Sequence, residues 1–190
     1  QSLIHTLDTG LWALREEVPV SAHALAGRSA SIATKYGDVF DHAAVVYEFA
    51  SGCRMYGFVR TQHNCHGEVA MKLFGSKGRA SEGHIEGETN WSYQGPNPGG
   101  HQNEQTEFMA AIRAGKVINN GNYMAQSTLT GIMAQMAAYT GKKVTWQQAH
   151  ESKFTYPPRD GKIDFTIDPP VRPDAAGIYP VPVPGKTEWT

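Results

Sequence analysis

Cysteine is nearly absent from this sequence: Cys53 and Cys65 are the only two in 190 residues. Two thiols are too few for a disulfide framework and do not identify a redox compartment. Long apolar runs are missing too. None approaches the roughly twenty residues a helix needs to cross a bilayer, so no membrane partner is expected. Neither sign of charge is in excess, with 17 Lys and Arg against 18 Asp and Glu. That balance gives no electrostatic reason to expect nucleic acid or an anionic surface as a partner. Several catalytic signatures are also lacking: there is no G-x-G-x-x-G after a strand, no P-loop, no G-x-S-x-G and no H-E-x-x-H. Without a phosphate cradle of its own, the chain is expected to leave any redox cofactor to another domain. The sequence begins at Gln1 and enters an apolar periodic pattern by Ile4, which reads as a chain cut inside a larger protein.

What is present suffices for a buried core, since 40% of residues are apolar and 18% charged. Eight of the eleven prolines lie between Pro157 and Pro184, so the last forty or so residues are a different kind of chain. The division predicted is a domain over 1–152 followed by a Pro-rich extended arm over 153–190.

Ile4, Leu7, Leu11 and Leu14 fall three and four apart, the stripe of an amphipathic helix that Pro19 ends. From Val18 to about Asn90 the period is two. Strands are predicted over 18–26, 43–49, 53–60, 68–74 and 79–86, and their succession points to a largely antiparallel sheet. On the third strand Cys53, Met55, Gly57 and Val59 face one way, and Arg54, Tyr56, Phe58 and Arg60 the other. The second face reads either as a half-exposed sheet surface or as one covered by another subunit. Helices follow over 104–114, capped by Gly115, and over 123–140, closed by Gly141. Thr145-Trp146-Gln147-Gln148 is a candidate capping box.

His5 and Asp8 are one turn apart. A carboxylate there can orient an imidazole for general acid–base work, although such a pair is commonly just solvated. His63, Asn64, Cys65 and His66 could hold a soft metal, but no second group of ligands sits at the right spacing, and no metal is expected. Arg60, Gln62, His63 and Asn64 better suit a polar small-molecule pocket, because they supply the fixed donors that sugar hydroxyls need. Trp91 and Tyr93 either stack on a sugar face or pack against the helices.

These residues also resemble a known family. Ile4-His5-Thr6-Leu7-Asp8 followed by Trp12, Gly37-Asp38-Val39-Phe40-Asp41-His42 and Phe74-Gly75-Ser76-Lys77-Gly78 are similar to segments of the Gfo/Idh/MocA oxidoreductases. So is the stretch from Ala111-Ile112-Arg113-Ala114-Gly115-Lys116 through Ser127-Thr128-Leu129 to Val144-Thr145-Trp146. The tail from Pro180 to Lys186 looks like the end of many bacterial members. The resemblance implies the second half of such an enzyme: an α+β domain with an open, largely antiparallel sheet and helices on one face, lacking the Rossmann domain. It implies a sugar or polyol substrate, a homo-oligomer through the open sheet face, and NAD or NADP bound mainly by the missing domain, with none bound by this chain alone. His5 matches the family's catalytic histidine and Asp8 an acid of structural or orienting role. The family's catalytic lysine, in its E-K-P motif, has no match. Gln1 stands where some members carry Asp, and Glu104-Gln105 where some carry an acid–His pair. The resemblance also leaves open a non-catalytic carbohydrate-binding or assembly module, and part of an NAD-assisted glycosidase.

Overall fold

The computed structural model describes residues 3–30, 33–155, 166–167 and 171–188. The chain divides into two compact units, one made of residues 1–68 and 126–190, the other of 69–125.

In the first unit, helix α1 (Leu3–Ala13) precedes strands β1 (Ser21–Gly27), β2 (His42–Glu48) and β3 (Arg54–Arg60). With the short β8 (Val144–Thr145) they form a four-stranded antiparallel sheet of order β3-β2-β1-β8. Helix α3 (Gly121–Thr140) starts in the second unit and runs into the first. The core lies between one face of this sheet and the two helices. Leu7 and Leu11 of α1 meet Ala22, Val45 and Tyr47 of the strands and Met133, Met136 and Ala137 of α3. Small residues allow the close crossings. A Cβ on Gly10 would stand 2.9 Å from Met55 Sδ, and one on Gly131 3.2 Å from Ile4. Met133 and Met136 of α3 fill the core, as unbranched side chains do, whereas Met124 near its start is exposed. Tyr47 is fully buried, its hydroxyl donating to the Thr130 carbonyl at 3.1 Å, and burial pushes the phenol far above its ordinary pKa.

The opposite sheet face is open. Leu25 is 81% exposed, Phe58 72% and Tyr56 56%, and the register sets Leu25 and Phe58 on either side of Ala44. The alternation predicted for β3 is therefore the one observed, with helices on one face of the sheet. The capping box is present: Thr145 Oγ1 accepts from Gln148 N at 3.2 Å and Gln148 Oε1 from Thr145 N at 2.9 Å, opening α4 (Trp146–Glu151).

The second unit holds a second four-stranded antiparallel sheet of β4 (Lys72–Gly75), β5 (Gly78–Ser81), β6 (His84–Gly87) and β7 (Trp91–Ser92), in sequence order. The single strand expected over 79–86 is thus two strands. Gly83, at φ 73°, turns the chain between them. Helix α2 (Gly100–Arg113) buries none of its residues, and Phe108, Met109 and Ile112 stand exposed. The fold is α+β with two open antiparallel sheets where one was expected.

Of the arm, 156–165 and 168–170 lie outside the described residues, and the described part has no helix or strand. Hydrogen bonds among the described residues tie it to the first unit. Arg28 donates through Nη2 to the Tyr179 carbonyl at 3.0 Å, and Gly185 N donates to the Thr140 carbonyl at 2.7 Å. Among the described residues no helix is long and apolar enough to cross a membrane.

Candidate functional site

Helix α1 positions the first pair. Its core face is Leu7, Gly10 and Leu11, and at 3.6 residues per turn His5 falls on the opposite side. The imidazole is exposed. Asp8 lies between these faces and turns to α3, where its Oδ1 accepts from the buried Ser127 hydroxyl at 2.6 Å. The carboxylate thus pins α1 to α3 through a charge-assisted hydrogen bond. Thr9 Oγ1 donates to the His5 carbonyl at 3.0 Å.

The polar residues at the end of β3 gather around a group that the sequence reading did not single out. Asp41 is 2% exposed. Its Oδ2 accepts from Ser29 N at 3.1 Å and Ala30 N at 2.8 Å; its Oδ1 lies 2.7 Å from His42 Nδ1 and 3.1 Å from Gln62 Nε2. Gln62 Nε2 also donates to Ser29 Oγ at 2.7 Å. Gln62 is therefore held by the β1–β2 connection. Arg60 donates through Nη2 to the His66 carbonyl at 2.9 Å and so closes the loop carrying His63 and Asn64, both exposed. Asn64 adopts φ 59°, a left-handed conformation that Asn tolerates better than most residues. Arg60 through Asn64 form one local cluster with Asp41 beneath it. The sequence signal for Asp41 was an acid set between Phe40 and His42 at the entry of a strand, but which polar groups it would meet depends on residues up to 21 positions away.

Trp91 and Tyr93 belong to the second unit. Their ring centroids are 6.4 Å apart and tilted by 56°, and both side chains are about half exposed. The Tyr93 hydroxyl donates to the Pro96 carbonyl at 3.0 Å, which holds its ring over the 94–99 loop. Among the described residues no group of three or more His, Cys, Asp or Glu is placed to hold a metal ion. A dinucleotide cradle is not formed by them either. Every strand pairing among them is antiparallel, and the glycine-bearing connection from β7 to α2, with Gly95, Gly99 and Gly100, does not have the G-x-G-x-x-G spacing.

No protein-family model matches the chain, and no curated protein matches it by sequence. Solved structures do match in fold. UDP-N-acetylglucosamine 3-dehydrogenase GnnA from Acidithiobacillus ferrooxidans is similar with a TM-score of 0.57 and 20% identity, over 72% of this chain and 45% of that one. Aldose-aldose oxidoreductase from Caulobacter crescentus, complexed with glycerol, is similar at 0.55 and 18%, over 75% and 45%. The WlbA dehydrogenase from Bordetella pertussis, solved with NADH and UDP-GlcNAcA, is similar at 0.55 and 16%, over 76% and 43%. This chain spans less than half the length of each. At these identities the likeness is one of fold, and it is the fold that the Gfo/Idh/MocA resemblance implied.

Proposed function

We propose that this chain is the substrate-binding and oligomerisation part of an NAD(P)-dependent sugar or polyol oxidoreductase, with His5 as its proton-transfer residue. The observation that carries the reading is the setting of His5: an exposed imidazole on the outer face of α1, on a fold shared with dehydrogenases of sugars and sugar nucleotides. A neutral imidazole accepts the proton of a carbinol hydroxyl near neutral pH, where histidine changes charge. Oxidation of that carbinol also needs a hydride acceptor. In this reading NAD or NADP accepts it, held mainly by another part of the parent protein. Asp8 supports His5 indirectly, by fixing α1 against Ser127. Within the first unit Arg60, His63 and Asn64 offer hydrogen-bond donors to substrate hydroxyls, and Gln62 holds the base of that cluster; within the second, Trp91 and Tyr93 are by themselves a candidate face for stacking on a sugar.

In the parent enzyme, His5→Asn is expected to lower kcat by about 10²- to 10⁴-fold and leave nucleotide affinity unchanged. Unimpaired turnover sinks the assignment. Oligomerisation rests on the open face of β1–β3, whose exposed Leu25, Tyr56 and Phe58 form an apolar patch beside Arg54 and Arg60. Sedimentation of the chain beside its Tyr56→Asp variant tests this, with an oligomer expected only for the unaltered chain. A second reading, a carbohydrate-binding or assembly module without catalysis, draws on the exposed Arg54, Tyr56, Phe58 and Arg60 face of β3. Sugar binding that survives His5→Asn, in a parent with no oxidoreductase turnover, selects it.

A further inference from the structure

Of the asparagines in the chain, Asn120 is the one followed by glycine, in the run Ile118-Asn119-Asn120-Gly121-Asn122. It stands where the loop after α2 enters α3. Its carbonyl accepts from Met124 N at 2.8 Å, the bond that opens the helix, so Asn120 is the cap residue of α3. Its side chain is exposed to water.

Two groups that react with each other are neighbours here. A backbone nitrogen can attack the side-chain carbonyl carbon of the asparagine before it, because the five-membered ring that forms carries little strain. The Cβ of most residues hinders that approach, and glycine has none. At Asn120 the Gly121 nitrogen bonds to Cγ, the Cγ–Nδ2 bond breaks, and ammonia leaves with the proton that Gly121 N gives up. Water then opens the succinimide at one of its two carbonyl carbons. Attack at Cγ gives aspartate. Attack at the backbone carbonyl carbon gives isoaspartate, whose main chain runs through Cγ. One water enters, one ammonia leaves, and nothing is oxidised or reduced.

The fold adds a restraint. Gly121 N, the nucleophile, donates its hydrogen to Asn119 Oδ1 at 3.0 Å. That oxygen is seated close over the residue, 3.2 Å from where a Cβ on Gly121 would stand. The amide must leave this bond before it turns on Cγ. We propose that Asn120 is a site of spontaneous deamidation, and that the Asn119 side chain slows the reaction in the folded chain by holding Gly121 N–H. The two products act oppositely on α3. Aspartate sets a carboxylate at the positive end of a 20-residue helix and supports it. Isoaspartate turns the carbonyl that accepts from Met124 N into a carboxylate beside a main chain longer by one methylene, which loosens the first turn. The site is independent of the role of His5.

The test incubates the 190-residue chain at mildly alkaline pH, folded and in urea, and follows the peptide holding Asn120 by mass spectrometry. Replacement of NH₂ by OH raises its mass, and a protein isoaspartate methyltransferase labels the isoaspartate fraction. In the folded chain Asn120 is expected to convert faster than Asn119 and Asn122, and more slowly than it does in urea. Asn119→Ala is expected to speed conversion in the folded chain about threefold, the factor for one weak exposed hydrogen bond, and to leave the rate in urea unchanged. The Met124 amide is expected to exchange faster in the isoaspartate fraction than in unreacted chain. A folded chain whose Asn120 converts no faster than Asn119 and Asn122 overturns the site. An unchanged rate in folded Asn119→Ala, or equal rates folded and in urea, overturns the restraint and leaves the site standing. Unchanged Met124 exchange overturns the effect on α3. Because Asn119 is exposed, Asn119→Ala is expected to keep the fold, which its amide spectrum checks.

Discussion

Glu48 shows how one side chain couples strands to charge. Lys143 donates to its Oε2, the Ser21 hydroxyl donates to the same oxygen at 2.8 Å, and Arg54 lies at 3.8 Å. The hydrogen bonds from Lys143 and then Ser21 hold its carboxyl below the ordinary carboxylate range. A depressed folded pKa means that the unfolded chain binds the proton more readily. The stabilisation is therefore complete above the unfolded value and is lost as pH falls through the folded one. Urea unfolding of the chain and its Glu48→Gln variant is expected to show a stability gap at pH 7 that closes as the pH falls below the ordinary carboxylate range. A gap of constant size across that range contradicts the assignment. The surface position of the group, open to solvent screening, keeps the gap small.

Among the elements, the β1–β2 connection depends on Asp41. Four groups converge on this buried carboxylate, two of them the backbone amides of Ser29 and Ala30. Asp41→Asn keeps one acceptor oxygen but turns an NH₂ toward groups that donate. A loss of about 2 to 3 kcal/mol in thermal or urea unfolding is expected, and a loss under about 0.5 kcal/mol, the scale of a surface substitution, refutes the hub. The end of α1 is strained in another way. Arg15 and Glu16 adopt φ 58° and 62°, consecutive left-handed conformations in residues that carry a Cβ. They close the helix with a Glu16 N to Leu11 O bond of 2.8 Å. Glu16→Gly relieves part of that cost, and a gain of about 0.5 to 1 kcal/mol is expected. A destabilised variant would mean that the Glu16 side chain contributes more than its backbone costs.

At the scale of the molecule, the two units differ in how much they bury. The first encloses a core of Leu, Val, Tyr and Met side chains, whereas α2 in the second buries nothing. Amide exchange should follow this division: β1–β3 exchange slowly, through global unfolding, and α2 exchanges orders of magnitude faster, through local opening. Equal protection of α2 and β2 in a native-state exchange experiment refutes it. The same contrast explains how much was legible beforehand. Period-two alternation on β3, the apolar stripe of α1 and the Thr145 capping box are local patterns, set by backbone geometry over a few residues. The break at Gly83 was missed because a strand-like run hides a glycine turn whose positive φ no periodicity reports. His5 and the cluster from Arg60 to Asn64 were legible as residue types, but their partners were not.

By itself, then, the sequence determined the antiparallel succession of strands, the open face of β3, the buried side of α1 and a likeness to a family of oxidoreductases, because each is written in short-range pattern and motif. Tertiary structure alone decided that Asp8 reaches Ser127 at a distance of 119 positions, that Gln62 is tied to Asp41, and that the strands form two sheets. Buried polar groups must find partners wherever the fold brings them together, and chain order does not record where that is.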